Sequence, residues 1–232
     1  MKHLKKYNEN KYLSKDGKVF NCSRENLSEL PFIPDTVEAI DCSNNRIKEL
    51  SFIPETVDIL YCDDNKLKEL PELPKGLKYF YCDNNKLKEL PELPKGLKEI
   101  GFSFNKLNEL PELPKKLEIL YCNDNILTKL PRLPKGLKFI NCDNNNLKEL
   151  PELPKGLETL LCDNNILTEL PELPKELKEL LCYNNNLIEL PRLPKRLKEL
   201  RCWNNNLPYE NLKGYWKWFY KENPDLGEAN KM

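Results

Sequence analysis

Apolar residues recur along this chain with a period of twenty residues. In one unit Leu77, Phe80, Cys82 and Leu87 are apolar, and the equivalent positions of neighbouring units are apolar as well. Phe80 and Cys82 lie two residues apart, which is the alternation of a β-strand, so Tyr79 should point to the opposite face. A unit this short cannot bury its own apolar face and must stack on its neighbours. The pattern predicts a repeat solenoid with one short strand per unit.

Three columns of identical or similar residues mark the period. Asparagine recurs from Asn45 to Asn205, leucine or isoleucine recurs from Ile47 to Leu207, and Phe102 interrupts an otherwise regular column of cysteines. The cysteines, which we call the cysteine ladder, are Cys22, Cys42, Cys62, Cys82, Cys122, Cys142, Cys162, Cys182 and Cys202. The spacing predicts ten repeats over residues 19–207, with parallel strands roughly 4.8 Å apart.

The segment between successive strands carries two prolines three residues apart, as in Leu70–Pro74. Proline lacks an N–H donor and restricts φ, so this segment cannot be a central strand or a long helix. We expect polyproline II structure or short turns on the face opposite the sheet.

Both ends of the chain leave the repeat pattern, as the caps of a solenoid do. Residues 1–18 are expected to form an N-terminal cap whose apolar side chains cover the first repeat: Leu4, Tyr7, Tyr12 and Leu13. Residues 208–232 are expected to form a helical C-terminal cap and tail, because Pro208 favours a helix start and Asn223-Pro224 a helix end. One face of that helix is apolar and carries Leu212, Tyr215, Trp216 and Phe219.

The unit LKFINCDNNNLKELPELP, from Leu137 to Pro154, follows the pattern LxxLxCxxNxLxxLPxLPxx. This resembles the leucine-rich repeat superfamily, in the short LPxLP subclass of YopM-, IpaH- and SspH-like bacterial effectors, with similar repeats in giant viruses. The resemblance covers residues 19–207 and implies a concave parallel sheet that binds a partner. Cysteine stands where those effectors usually have an aliphatic residue. A host-directed effector or a viral protein is one interpretation, although the superfamily binds many unrelated molecules.

Charge is abundant but balanced, with 37 basic and 37 acidic residues. A neutral chain argues against nucleic acid or an anionic membrane as the main partner. The sequence shows no membrane-spanning apolar run and no ordinary secretory signal. Its odd number of cysteines in one register favours free thiols in a reducing, cytoplasmic compartment, or in a host cytoplasm after export without a signal peptide.

The cysteine column and the asparagine column each have a functional and a structural interpretation. A thiol-based redox or metal site would need converging ligands, whereas a single row of thiols converges on nothing and His3 is the only histidine. We therefore expect the cysteines to fill the core, with no cofactor, no metal and no enzymatic activity. The asparagine amides are expected to bond backbone groups and, between stacked copies, one another.

The outward positions of the strands differ from repeat to repeat, which is typical of a binding face. The middle repeats place there a set of residues that we call the aromatic stripe: Ile59, Tyr61, Tyr79, Tyr81, Ile119, Tyr121 and Phe139. A contiguous exposed aromatic patch usually marks an interaction site, and tyrosine is favoured in binding hot spots. The alternative is cross-strand packing that only protects the sheet.

An acidic row runs beside the aromatic stripe and consists of Asp63, Asp64, Asp83, Asp124, Asp143 and Asp163. Stacked carboxylates repel one another, so we expect a partner that presents basic residues beside an apolar anchor. Within this row Asp63, Asp83 and Asp143 are the candidate binding residues. A bound divalent cation is the alternative.

Repeat five is irregular, because Gly101 lacks an outward side chain and Phe102 replaces a cysteine. These changes predict either a notch in the sheet, edged by Phe104, or a local adjustment of the strand around the larger ring. Phe104 is accordingly a candidate binding residue.

The sequence as a whole predicts a non-catalytic protein–protein interaction module with an unidentified protein partner. A second hypothesis is self-assembly into a homo-oligomer, because the cap carries more aromatic residues than one helical face can bury: Trp216, Trp218, Phe219 and Tyr220.

Overall fold

The computed structural model describes residues 10–223. Ten three-residue strands form one parallel sheet in chain order. The strands are β1 (Val19–Asn21), β2 (Ala39–Asp41), β3 (Ile59–Tyr61), β4 (Tyr79–Tyr81), β5 (Glu99–Gly101), β6 (Ile119–Tyr121), β7 (Phe139–Asn141), β8 (Thr159–Leu161), β9 (Glu179–Leu181) and β10 (Glu199–Arg201). A 3-10 helix (Asn10–Tyr12) precedes them and helix α1 (Leu212–Glu222) follows them. The predicted leucine-rich solenoid is confirmed, with the sheet on its concave face.

The strands pair in a single register, in which each residue lies beside the residue twenty positions later. Tyr61 pairs with Tyr81, which in turn pairs with Gly101 and then with Tyr121. In each strand the middle residue is buried, as in β4, where Phe80 lies in the core between two half-buried tyrosines. At roughly 4.8 Å per strand the sheet is on the order of 45 Å long.

The cysteine ladder lies entirely in the core. All nine thiols are free and fully buried. Several of them donate to a carbonyl of the next repeat, for example Cys62 Sγ to Tyr81 O at 3.3 Å and Cys142 Sγ to Leu161 O at 3.3 Å. The cysteines therefore act as small core residues with a weak hydrogen bond, and Phe102 takes the same buried place in repeat five.

The convex face has no regular helix or strand in the described repeats. Each return segment ends in a tight turn, as where Leu77 N donates to Pro74 O at 3.1 Å. Leu73 lies within this segment and is buried, so the convex side closes the core with leucines held between prolines. The expectation of short turns is confirmed.

The asparagine column from Asn45 to Asn205, which we call the inner asparagine ladder, joins neighbouring repeats through their backbones. Asn145 is only 7% exposed, and its Nδ2 donates to the carbonyls of Cys122 at 3.0 Å, Cys142 at 3.1 Å and Asp143 at 3.0 Å. Its Oδ1 accepts from Leu127 N at 2.9 Å. The same set of bonds recurs along the ladder, for example in the preceding repeat. Both ends of each amide thus serve backbone groups.

Bonds between stacked amides, which were expected in this ladder, occur one column away. There Asn184 Nδ2 donates to Asn164 Oδ1 at 2.6 Å, and Asn204 repeats the pattern on Asn184. Residues of this outer column have φ between 51° and 60°, a left-handed conformation that asparagine and aspartate tolerate better than other side chains. Its members are Arg24, Asn44, Asp64, Asn84, Phe104, Asp124, Asn144, Asn164, Asn184 and Asn204.

The N-terminal cap covers the first strand with two of the residues expected to do so. The Tyr12 ring lies 5.6 Å from that of Phe20, and Leu13 forms an antiparallel bridge with Phe20. The other two, Leu4 and Tyr7, lie outside the described residues.

The C-terminal helix begins at Leu212 and not at Pro208. The intervening backbone pairs with the last repeat, since Cys202 N donates to Glu210 O at 2.9 Å and Arg201 forms an antiparallel bridge with Asn211. Asn211 then caps the helix, its Oδ1 accepting from Gly214 N at 2.9 Å. Closing the open edge of the sheet therefore takes precedence over helix formation in these residues. The helix ends at Glu222 and is followed by its C-cap Asn223, which agrees with the end expected from the sequence.

Most of the aromatic residues of the cap pack within the chain. Tyr209 and Tyr215 are buried and in edge-on contact at 5.1 Å, and Trp216, Trp218 and Phe219 pack half-buried against the core. Tyr220 is 37% exposed, and self-assembly through the cap stays a prediction. No helix within residues 10–223 is both long enough and apolar enough to span a bilayer.

Candidate functional site

The aromatic stripe forms two separate clusters on the concave face. In the first, Tyr61 and Tyr81 stack at 5.4 Å with an angle of 17° between the rings. In the second, Tyr121 and Phe139 pack at 4.9 Å with an angle of 46°. Of the stripe, only Tyr61 is strongly exposed, at 39%; the other members are half-buried: Ile59, Tyr79, Tyr81, Ile119, Tyr121 and Phe139.

The notch expected above Gly101 is filled by a tyrosine ring. A Cβ atom on Gly101 would lie 2.7 Å from Tyr81 Cδ1, so the ring lies directly across the glycine. The Tyr81 hydroxyl reaches on to donate to Glu99 Oε2 at 2.7 Å. Burial, followed by this bond, raises the pKa of the Tyr81 phenol. Glycine therefore makes room for Tyr81 and leaves no cavity, which agrees with the interpretation of local adjustment.

Phe104 has the least favourable environment on this face. Its side chain is 55% exposed, and its backbone has φ of 54° in a column that carries asparagine or aspartate in every other repeat except the first, which has Arg24. A bulky side chain in the left-handed region is strained, and an exposed aromatic ring gains little from folding. Phe104 thus carries backbone strain that burial of its ring does not offset.

The acidic row is partly occupied by structural hydrogen bonds. Asp63 Oδ1 accepts from Asp83 N at 2.8 Å, Asp83 Oδ1 accepts from Ser103 N at 2.5 Å, and Asp143 Oδ1 accepts from Asp163 N at 2.9 Å. Burial is the main cause that raises the pKa of both Asp63 and Asp83 to about 6. These carboxylates therefore hold successive turns together as well as facing the concave surface.

Charge is unevenly distributed in this neutral chain. The strands and the three residues after each of them carry ten acidic side chains and two arginines. They are Asp41, Asp63, Asp64, Asp83, Glu99, Asp124, Asp143, Asp163, Glu179 and Glu199, against Arg24 and Arg201. The concave face is therefore acidic, and the compensating positive charge lies elsewhere.

A second aromatic stack, which the sequence pattern did not bring to attention, lies near the C-terminal end of the sheet. The rings of Tyr183 and Trp203 are 4.3 Å apart with an angle of 11°, and Trp203 is 37% exposed. They occupy the same column as Asp143 and Asp163. The sequence signal for this stack is the change within the column from aspartate to aromatic residues.

The described part of the chain contains no assembled site for metal or redox chemistry. No group of three or more histidine, cysteine, aspartate or glutamate side chains within residues 10–223 is placed to hold a metal ion. Burial raises the pKa of Cys22 and Cys202 to about 12, and it raises the pKa of Cys142 and Cys162 well above the ordinary value of a thiol. Such thiols remain protonated, and a protonated thiol is a poor nucleophile.

The native protein should therefore resist alkylation. We expect iodoacetamide at pH 7.5 to modify none of the nine cysteines in the folded protein and all nine in urea, because reagent and thiolate can meet only after unfolding. Intact mass spectrometry counts the adducts. Rapid modification of any thiol without urea would contradict the buried ladder.

Neither a protein-family model nor a curated protein matches the chain, but several solved structures do. The leucine-rich effector protein YopM from Yersinia pestis is 37% identical, with a TM-score of 0.83 over 88% of this chain and 60% of that chain. YopM from Yersinia enterocolitica WA-314 is 34% identical, with a TM-score of 0.66 over 78% of this chain and 45% of that chain. The functional domain of InlJ from Listeria monocytogenes, which includes a cysteine ladder, is 26% identical, with a TM-score of 0.74 over 82% of this chain and 45% of that chain.

The chain thus spans less than two thirds of either YopM chain, and the likeness lies in the repeats. Those repeats share the twenty-residue period and the parallel stacking described above. On the fold and the repeat pattern together, this chain belongs to the leucine-rich repeat superfamily, with repeats of the YopM type.

Proposed function

We propose that the chain is a non-catalytic interaction module that binds a partner protein on its concave face. The observation that carries the proposal is Phe104, an exposed ring on a strained backbone beside the aromatic stripe. A residue that strains the free protein and whose ring is not buried by folding is best accounted for by a gain on binding. Because YopM is described as an effector, the proposal extends to an effector that acts in the cytoplasm of a host cell.

The proposed partner presents an apolar anchor flanked by basic side chains. Tyr61, Tyr81 and Phe104 supply an aromatic surface next to Asp64 and Asp83. Aromatic residues dominate binding hot spots, and an acidic face attracts a basic partner at a rate that falls with salt. The contact area comprises the aromatic stripe, Phe104 and the exposed atoms of Asp63, Asp83 and Asp143. Affinity that does not change between low and high salt would exclude the basic part of the epitope.

Replacing Phe104 by asparagine should weaken binding while strengthening the fold. The variant Phe104→Asn introduces the usual residue of its column, so relief of left-handed strain should raise the free energy of unfolding by about 1 kcal/mol. Loss of the aromatic anchor should weaken the complex about 30-fold, the effect of a hot-spot residue. The partner is first captured from cytosolic lysate with the wild-type protein, and the two affinities are then compared by calorimetry.

The matched control is Phe52→Glu on the convex face. Phe52 is 58% exposed, like Phe104, and its column carries glutamate or arginine in most other repeats. We expect Phe52→Glu to retain the partner and the triple variant Tyr61→Ala, Tyr81→Ala and Tyr121→Ala to lose it. If all these variants bound equally well, the concave face would not be the binding surface.

A further inference from the structure

Two aspartates in successive repeats lie unusually close and are unusually buried. Asp143 follows β7 and Asp163 follows β8, and Asp143 Oδ1 accepts from Asp163 N at 2.9 Å. Asp163 is only 2% exposed, the most buried carboxylate of the described chain. Its Oδ2 accepts from Asn164 Nδ2 at 2.7 Å. Its Oδ1 is buried and has no hydrogen-bond partner within residues 10–223.

A buried carboxylate oxygen without a partner requires an explanation. Leaving it ionised and unbonded would cost several kcal/mol, on the order of the penalty for a desolvated charge. The oxygen is enclosed, so a lysine or arginine of another protein does not reach it in this arrangement. Asp143 lies against Asp163, as the bond from Asp163 N shows, and a proton held between the two carboxyl groups would supply a partner for this oxygen.

The groups around the pair favour the neutral form. Asp124 faces Asp143 from the preceding repeat, and its negative charge opposes ionisation. On the other side the Tyr183 phenol lies against Asp163, and this carboxyl raises the pKa of the phenol to about 12, so the phenol stays neutral. Beneath the pair lie the protonated thiols of the cysteine ladder, Cys142, Cys162 and Cys182. Burial first, and then the bond to Asp163, raises the pKa of Asp143 to about 8.

We propose that Asp143 and Asp163 form a carboxyl–carboxylate pair that holds one proton at neutral pH and releases it to solvent in mildly alkaline solution. The concave face then carries one negative charge fewer at neutral pH than its sequence indicates. Two carboxylates in contact cannot both ionise without strong repulsion, which is the physical basis of such pairs. The equivalent pair Asp63–Asp83 has the same backbone bond, but both of its members are half-buried and neither has a buried oxygen that lacks a partner.

Carbon-detected NMR of the aspartate side-chain carboxyls tests the proposal on the protein alone, between pH 4 and pH 10. We expect one transition of the wild type near pH 8. It should disappear in Asp143→Asn, whereas the control Asp83→Asn should retain it. In Asp163→Asn an amide takes the place of the proton-sharing carboxyl, and Asp143 should then titrate at lower pH. If every aspartate of the wild type titrated below pH 7, or if the transition survived in Asp143→Asn, the pair would be excluded.

Unfolding provides a second readout with a definite sign. The raised pKa of Asp143 in the folded state means that the proton stabilises the fold fully below the unfolded pKa of about 4 and that this contribution is lost as the pH rises through 8. The urea midpoint of the wild type should fall across that window, and the midpoint of Asp143→Asn should fall less. An equal fall in both proteins would overturn the proposal. None of these readouts requires a partner, so they stand apart from any test of the binding function.

Discussion

Replacing Asn145 by alanine should lower the free energy of unfolding by about 4 kcal/mol. The side chain is buried and satisfies the N–H of Leu127 and the carbonyls of Cys122 and Cys142. Alanine leaves these groups buried and unpaired, and each unsatisfied group costs about 1–3 kcal/mol. Because these hydrogen bonds connect one repeat to the preceding one, the substitution weakens the interface between the two repeats. Urea denaturation followed by circular dichroism measures the change.

The neighbouring Asn144 provides the control for this prediction. It is exposed and has φ of 51°, a conformation that glycine adopts freely. Asn144→Gly removes a side-chain amide of the same size one residue away, and we expect the free energy of unfolding to change by no more than about 0.5 kcal/mol. If Asn145→Ala and Asn144→Gly were equally stable, the inner ladder would not contribute to stability as described.

Restoring the regular cysteine in repeat five should destabilise the protein by about 3 kcal/mol. Phe102 is completely buried in the column that Cys82 and Cys122 occupy in the adjacent repeats. The variant Phe102→Cys removes most of a buried ring, and the surrounding leucines can close the resulting cavity only in part. Substitution by the most frequent residue of a repeat position usually stabilises a repeat protein. Phe102→Cys is such a substitution, yet we expect it to lower the free energy of unfolding. Chemical denaturation of the purified variant measures it.

The comparison for Phe102→Cys is Cys122→Ala in the following repeat. It deletes a single buried sulfur atom, and we expect a loss of about 1 kcal/mol. A Phe102→Cys variant as stable as the wild type would mean that repeat five collapses around the smaller side chain without forming a cavity.

The fold could be predicted because a single constraint repeats. Once the apolar columns recur at twenty residues, parallel strands can bury them only in a register shifted by one period, which is the pairing of Phe80 with Ile100. The cysteines and inner asparagines follow from the same argument, since a column that varies in one repeat at most lies in the same environment along the solenoid. Fold class and core composition were therefore available from the sequence.

The arrangement of the candidate site was less accessible, because it depends on contacts between unlike residues of adjacent repeats. A column pattern does not tell that the Tyr81 ring leans across Gly101 or that Asp163 is enclosed. It also predicts a helix start at Pro208, although the backbone before Leu212 pairs with the free edge of β10 and the helix begins only after it. These features are set by competition for space and for hydrogen bonds between neighbours.

The nearest-neighbour bonding of the inner asparagines also determines how the molecule would respond to mechanical force. Each amide joins its own repeat to the one before it and to no other, as Asn145 does. A pulling load applied at the two ends passes through these joints in series, and an end repeat, supported on one side only, yields first. Each released repeat of twenty residues lengthens the chain by roughly 65 Å. The solenoid should therefore extend in discrete steps and hold its remaining repeats intact under load.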